Sequence, residues 1–163
     1  MPETSAISNT GPLIALAKVH RLDLLVALFS EILVPRAVSN ELVAGGAQFP
    51  GREIVGIREF RIVDCQKEPD RLLLAELDSG EASVIQLAIE RPGAEVLIDE
   101  KKARRVATSV YGLTVLGTGG LLLRAKKRGL IQTVKPLLEQ IHANGYFLSD
   151  RLKMGILRAA NEL

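Results

Sequence analysis

The sequence predicts an α/β fold, a three-layer sandwich in which helices cover a mostly parallel central sheet. Short apolar segments alternate along the chain with longer segments of helical periodicity. Apolar residues make up 47% of the composition and aromatic residues only 4%, so Leu, Val, Ile and Ala must form the core. This usage suits parallel strands that are buried on both faces.

Proline and glycine mark the ends of the elements in the first half of the chain. Pro12 lies in the first turn of the first helix, and Gly45-Gly46 is a typical C-terminal stop. The elements expected here are a strand at 6–8, a helix from Leu13, a strand at 32–34, a helix at 36–43, a loop at 48–53 and a short edge strand at 60–63.

Caps and glycine stops also divide the second half. Asp78 followed by Glu81 has the form of a capping box, and Pro92-Gly93 ends the helix that follows. The elements expected here are helices at 70–76 and 82–90, a strand at 96–98, a helix at about 100–111, a strand at 113–116, and helices up to Lys127, at about 134–143 and at 149–161.

The length of 163 residues predicts one domain, which spans residues 1–163. Cys65 is the only cysteine, which excludes an internal disulfide and a Cys-rich zinc site and favours a cytoplasmic, reducing location. The N-terminus lacks a signal-peptide pattern, and no apolar stretch approaches about 18 residues, so we expect no membrane span.

Opposite charges are concentrated in two neighbouring regions, although the net charge is only +2. Acids dominate residues 64–100, whereas residues 101–138 contain none. An acidic focus beside a basic surface is typical of a metal-using enzyme that acts on a polyanion; the alternative is two solvated helix faces. The basic residues that could bind nucleic acid include Lys101, Lys102, Arg104, Arg105, Lys126, Lys127 and Arg128.

Four polar residues lie at the strand-to-helix corners or on helices beside them: Asn9, Glu41, Glu81 and Asp99. Right-handed crossovers place these corners at the carboxyl edge of the sheet, where open α/β folds bind ligands. Each residue also has a structural alternative, because Asn9 and Asp99 can cap helices, Glu81 fits the capping box and Glu41 can be a solvated helix residue. Carboxylates gathered in one crevice repel each other unless a cation lies among them.

Magnesium is the cation that this set of oxygen ligands favours, and such a site can activate water and neutralise charge at a phosphodiester. His20 and His142 are isolated, so a zinc site is not indicated, and Cys65 is expected in the core. The stretch "LGTGGLLL" could cradle a phosphate, but it lacks both nucleotide-binding fingerprints, and its alternative is a tight turn.

Five segments occur in a recognisable order: "ISNTGPLIALAK", "ILVPRAVSNELVAGG", "LDSGEASVIQLA", "VLIDEKKARRVA" and "VLGTGGLLLRAKKRGLI". Together they cover roughly residues 6–131, and they resemble the PIN-domain ribonuclease-like family, more narrowly the PIN-like group related to the VapC toxins. The resemblance implies a PIN fold and an acidic site that uses Mg²⁺ or Mn²⁺ to cut RNA. It also implies a small antitoxin as partner for toxin-like members, and often a homodimer.

The family's four acids fall on Asn9, Glu41, Glu81 and Asp99, and its Ser/Thr beside the first acid falls on Thr10. The resemblance therefore implies that these five residues are catalytic and that all except Thr10 hold the metal. Asn9 departs from the family, which normally has Asp there. An amide oxygen can coordinate a cation but brings no charge, so we expect weak or modified metal binding. The competing hypothesis is an inactive PIN domain that binds RNA or a protein.

Overall fold

Five parallel strands form one central sheet in the computed structural model, which describes residues 4–163. The sheet order is β3-β2-β1-β4-β5, and every neighbouring pair is parallel. The predicted α/β architecture is thereby confirmed, with a sheet that is parallel throughout. The strands are β1 (Ala6–Ser8), β2 (Ile32–Pro35), β3 (Phe60–Val63), β4 (Glu95–Leu97) and β5 (Val115–Leu116).

Helices flank the sheet. They are α1 (Thr10–Ala17), α2 (Asp23–Leu28), α3 (Arg36–Ala44), α4 (Arg71–Glu76), α5 (Ser79–Glu90), α6 (Lys101–Arg105), α7 (Thr118–Lys127), α8 (Lys135–Ala143) and α9 (Asp150–Ala159). A 3₁₀ helix covers Arg52–Gly56, and a π-helical turn, Val106–Val110, continues α6. Helix α5 packs on β1, β2 and β4, while α7 packs against α1, α2 and α9.

The central strands are short and almost entirely buried. Ala6 and Ile7 of β1 pair with Ile32 and Leu33 of β2 on one side, and Ile7 pairs with Val96 of β4 on the other. All five side chains are withdrawn from solvent. Burial on both faces explains why these strands are continuous apolar runs instead of alternating patterns.

The structure departs from the sequence-based elements at several places. Helix α2 was not predicted, because "DLLVAL" is a six-residue apolar run without a polar face to reveal its period. The expected helix at 100–111 is divided into α6 and the π-helical turn. Strand β5 covers only the last half of the predicted 113–116, and part of the predicted loop 48–53 belongs to the 3₁₀ helix.

The expectation of a single domain over residues 1–163 stays a prediction, and residues 1–3 lie outside the described residues. Among the helices of residues 4–163, none has the length and apolar character needed to cross a membrane.

Candidate functional site

The order of the strands places a crevice between the ends of β1 and β4. The chain proceeds from β1 outward through β2 to β3, then returns to the other side of β1 to form β4 and β5. Parallel α/β sheets bind ligands where the strand order reverses in this way. The Asn9 N–H donates to the Leu97 carbonyl at 3.0 Å, so the corners after β1 and β4 lie side by side. Asn9 and Asp99 therefore share the edge that the sequence predicted.

Asn9 occupies the N-cap position of α1, yet its side chain makes no capping hydrogen bond within residues 4–163. A cap normally accepts from the N–H of the second or third helical residue, and here the third is Pro12, which has no N–H. Asn9 is nevertheless only 7% exposed. The capping alternative is thus not realised, and its amide is turned toward the crevice.

Glu41 meets Asn9 beside Gly80. A Cβ atom added to Gly80 would lie 2.5 Å from Glu41 Oε1 and 3.4 Å from Asn9 Oδ1, so both oxygens face the same point. Burial raises the pKa of Glu41, the charge of Asp78 raises it further, and the neighbouring Thr10 hydroxyl opposes the rise. Glu41 thus stands beside Thr10 in an acidic environment.

Glu81 forms the predicted capping box with Asp78. The Glu81 N–H donates to Asp78 Oδ1 at 2.8 Å, and the Asp78 N–H donates to Glu81 Oε1 at 3.2 Å. Burial raises the pKa of Glu81, the backbone hydrogen bond from Asp78 opposes it, and the charges of Asp78 and Glu100 raise it again. The structural alternative for Glu81 is therefore confirmed, and a role in metal binding stays a prediction.

Asp99 is held by three donors at the start of α7. The Thr118 N–H donates to Oδ1 at 2.7 Å, while the Thr118 hydroxyl and the Tyr146 hydroxyl donate to Oδ2 at 2.6 Å and 2.5 Å. The positive end of the α7 dipole also favours an anion there. Asp99 does not cap α6, since Glu100 accepts from the Ala103 N–H at 2.8 Å. The alternative that Asp99 caps the helix directly after β4 was wrong.

The crevice acids are not engaged in ion pairs among the described residues. Of the seven ion pairs formed within residues 4–163, none includes Glu41, Glu81 or Asp99. The Arg104 guanidinium, which lies near Asp99, donates to the Ile98 carbonyl at 2.9 Å. Uncompensated acids at one edge of a sheet are the environment that a cation would stabilise.

The fit to a metal depends on how many carboxylates converge. Across residues 4–163, no three His, Cys, Asp or Glu side chains come together closely enough to surround an ion. Glu81 is engaged in its cap, which leaves Glu41 and Asp99 together with the Asn9 amide oxygen. Magnesium is commonly held by one or two carboxylates, waters and substrate phosphates, and these three side chains offer oxygen ligands of that type.

The basic residues divide into two groups. Lys101 and Arg105 are exposed on α6, immediately after Asp99, while Lys102 pairs with Glu76 at 3.2 Å. Helix α7 runs away from the crevice, so its last turn lies at the opposite edge. There Lys126 pairs with Glu162, and Arg128 donates to the Leu28 carbonyl. The structure thus separates Lys126, Lys127 and Arg128 from the crevice that we expected them to flank.

The glycines in the first turn of α7 serve close packing. A Cβ atom on Gly119 would lie 2.5 Å from Ile156, and one on Gly120 would lie 2.4 Å from Leu116. The N-terminus of α7, where a phosphate would bind, is already occupied by the Asp99 carboxylate. This arrangement matches the tight-turn alternative and leaves no support for a nucleotide phosphate cradle.

Comparison with known proteins agrees with this architecture. A family model described as a PIN domain matches residues 5–162, which is nearly the whole chain. The chain belongs to the PIN-domain family. Members of this family are in general nucleases, which supports a nuclease-like function here.

A solved structure shares the PIN fold. The structure of the PIN domain endonuclease Utp24 superposes with a TM-score of 0.52 at 13% sequence identity, over 69% of this chain and 84% of that one. Identity this low shows a likeness of fold only. No curated protein matches the sequence.

Sequence reasoning missed Tyr146 and Thr118. Both contact Asp99 but lie 47 and 19 residues from it in the chain. Thr118 follows a predicted strand, so the corner argument could have included it. No signal in the sequence pointed to Tyr146, which reaches the crevice from the turn between α8 and α9.

Proposed function

We propose that this PIN domain is a divalent-metal-dependent endoribonuclease that hydrolyses RNA phosphodiesters. The observation that carries the proposal is the crevice between β1 and β4, which holds Glu41, Asp99 and the Asn9 amide and in which neither acid forms an ion pair within residues 4–163. Family membership supports the class of reaction.

In this proposal Glu41, Asp99 and Asn9 hold one Mg²⁺ or Mn²⁺, with Glu81 beside them. A metal bound there would supply an activated water and neutralise charge at the phosphodiester. The Thr118 and Tyr146 hydroxyls donate to the Asp99 carboxylate, and Thr10 lies beside Glu41. Asn9 offers an oxygen ligand without charge, so the site attracts a metal less strongly than one with a third acid.

Lys101 and Arg105 are the proposed contacts to the RNA backbone. Both are exposed on the helix that follows Asp99, and neither forms an ion pair within residues 4–163. Lys102 and Arg104 lie on the same helix but already bind Glu76 and the Ile98 carbonyl. We assign the main phosphate contacts to the first two.

A second candidate function is a binding module without catalysis. It is favoured by Asn9 in the place of an acid and by the lack of three converging metal-ligating side chains within residues 4–163. Asn9→Asp distinguishes the two functions, because it restores the charge at the point where Glu41 and Asn9 meet.

The test measures cleavage of several RNAs with Mg²⁺ or Mn²⁺ by the wild type, Asp99→Asn and Asn9→Asp, together with Mn²⁺ binding by calorimetry. Wild-type cleavage that Asp99→Asn abolishes supports the nuclease. Cleavage by Asn9→Asp alone supports the binding module, a PIN site disabled at one position. If none of the three proteins cleaves RNA or binds Mn²⁺, the proposal of a metal-dependent enzyme is refuted.

A toxin-like role, an antitoxin-like partner, a homodimer and a cytoplasmic location belong to the same proposal, and they rest on the family resemblance and the single cysteine. Sedimentation measures the oligomeric state directly. A small neighbouring reading frame whose product binds this chain and suppresses RNA cleavage would support the toxin-like role.

A further inference from the structure

Tyr146 reaches Asp99 from a distant part of the chain. It lies in the turn between α8 and α9, and its hydroxyl donates to Asp99 Oδ2 at 2.5 Å. The side chain is half-buried, whereas its neighbour Phe147 is 80% exposed. The turn therefore directs the phenol inward, to a single carboxylate of the proposed metal site.

The turn is fixed on α1 at two places. Lys18 Nζ donates to the Asn144 carbonyl at 2.9 Å, close to the end of α1. At the start of α1, Gly11 leaves the space that the phenol needs. A Cβ atom on Gly11 would lie 2.7 Å from the Tyr146 hydroxyl and 3.4 Å from Asp99 Oδ2. The Tyr146–Asp99 contact is thus built into the packing of three separate segments.

The hydrogen bonds divide the two oxygens of Asp99 unequally. Oδ2 accepts from both the Thr118 and the Tyr146 hydroxyls, which use its two lone pairs, whereas the one donor to Oδ1 within residues 4–163 is the Thr118 N–H. One lone pair of Oδ1 is left for another partner.

We propose that Tyr146 is a positioning residue, which fixes the Asp99 carboxylate so that Oδ1 alone is presented to the metal. This inference rests on the proposed function, because it assigns Asp99 a cation to bind. Hydrogen-bond donors behind a ligand fix its orientation, and their loss typically costs 10- to 100-fold in metal affinity. Without the phenol, the Thr118 N–H and hydroxyl alone hold the two oxygens, so the carboxylate loses one of its three restraints and a lone pair of Oδ2 becomes free.

The experiment measures Mn²⁺ binding by calorimetry in four proteins: the wild type, Tyr146→Phe, Tyr111→Phe and Asp99→Asn. Tyr111→Phe is the matched control, because it removes a hydroxyl from the other tyrosine of the chain, which packs at the edge of the core. We expect Tyr146→Phe to bind Mn²⁺ about tenfold more weakly than the wild type. Tyr111→Phe should bind like the wild type, and Asp99→Asn should not bind measurably.

Two further readouts separate positioning from a general structural defect. Excess Mn²⁺ should restore RNA cleavage by Tyr146→Phe with the KM for RNA unchanged, which a misfolded protein would not show. The chain has two tyrosines and no tryptophan. In Tyr111→Phe, Tyr146 is therefore the one tyrosine that contributes to the emission. Titration of that variant with Mg²⁺ should change the tyrosine emission with the Mg²⁺ affinity that calorimetry gives for the same variant, and this measurement leaves Tyr146 intact.

The outcomes distinguish this inference from the proposed function. If the wild type binds Mn²⁺ through Asp99, but Tyr146→Phe binds it equally well or more tightly, the positioning role is overturned and the metal site stands. A tyrosine emission that ignores Mg²⁺ would overturn it as well. If Asp99→Asn binds Mn²⁺ like the wild type, or if no protein binds it, the proposed metal site fails and the role of Tyr146 fails with it.

Discussion

Substitution of Gly80 can move the Glu41 carboxylate without changing Glu41 itself. Gly80 is the buried second residue of α5, and a Cβ atom there would lie 2.5 Å from Glu41 Oε1 and 3.3 Å from its Cδ. Real Cβ contacts of this kind begin near 3.0 Å and become ordinary at 3.4 Å. Because the clash falls on the end of a flexible side chain, Glu41 can retreat while the backbone stays in place.

The expected effects of Gly80→Ala on stability and on activity are opposite. Alanine favours a helix over glycine by about 0.5–1 kcal/mol, so the melting temperature should be unchanged or slightly raised. The carboxylate, however, must retreat by about 1 Å, and a misplacement of that size can cost about 100-fold in rate. We expect weaker Mn²⁺ binding in calorimetry and a loss of RNA cleavage of up to about this factor.

Gly155→Ala is the matched control. Gly155 lies inside α9, and a Cβ atom there would have no atom within 4 Å. The free energy of unfolding of this variant should rise by at most about 0.5–1 kcal/mol, and the variant should bind Mn²⁺ like the wild type. If both variants are stable and bind Mn²⁺ and cleave RNA equally well, the placement of Glu41 beside Asn9 as a metal ligand is refuted.

Three further predictions concern charge. Burial raises the pKa of Glu41, so the folded protein loses stability as the pH rises from the ordinary pKa of 4.5 through the raised pKa. Glu41→Gln should remove this loss. It should raise the melting temperature at pH 7 and abolish Mn²⁺ binding. The pKa of Glu162 is lowered to about 2 by N–H groups at the start of α8 and by Lys126. Glu162→Gln should therefore lower the melting temperature at pH 7, and the difference in melting temperature between this variant and the wild type should vanish as the pH falls from 4.5 toward 2. Lys101→Ala and Arg105→Ala should each reduce the salt slope of RNA binding by about 1, whereas Lys127→Ala, at the opposite edge, should leave the slope unchanged.

The sheet could be predicted from the sequence because its strands are buried and bounded. Apolar runs such as 6–8 and 32–34 end at polar or proline corners, and these signals gave each strand within two residues. Helix α2 could not be predicted, since an apolar run of six residues is compatible with a buried strand or a buried helix. The π-helical turn after α6 depends on packing, which no local pattern records.

The candidate site was predictable to the extent that its residues follow strands. Asn9 and Asp99 each follow a predicted parallel strand, so both were expected at the carboxyl edge of the sheet. The structure places the two corners side by side. The basic end of α7 was misplaced. A helix that follows a strand has its first turn at the carboxyl edge of the sheet, whereas Lys126 and Lys127 lie in the last turn of α7. Tyr146 was beyond prediction, since its position depends on how the turn between α8 and α9 folds back onto α1.

The turn between β1 and α1 shows how Pro12 leaves the Asn9 side chain available to the crevice. Asn9 has the backbone conformation of an N-cap, with φ −79° and ψ 175°, and asparagine is among the best capping residues. Pro12 stands where the usual hydrogen-bond donor would be, and its ring favours the helix by fixing φ. The helix can therefore begin without the Asn9 amide, whereas α5 begins with the Asp78 and Glu81 side chains engaged in its capping box. If helix capping were the role of Asn9, Asn9→Ala would destabilise the protein by about 1 kcal/mol; because the amide is turned to Glu41 instead, we expect Asn9→Ala to change Mn²⁺ binding more than the melting temperature.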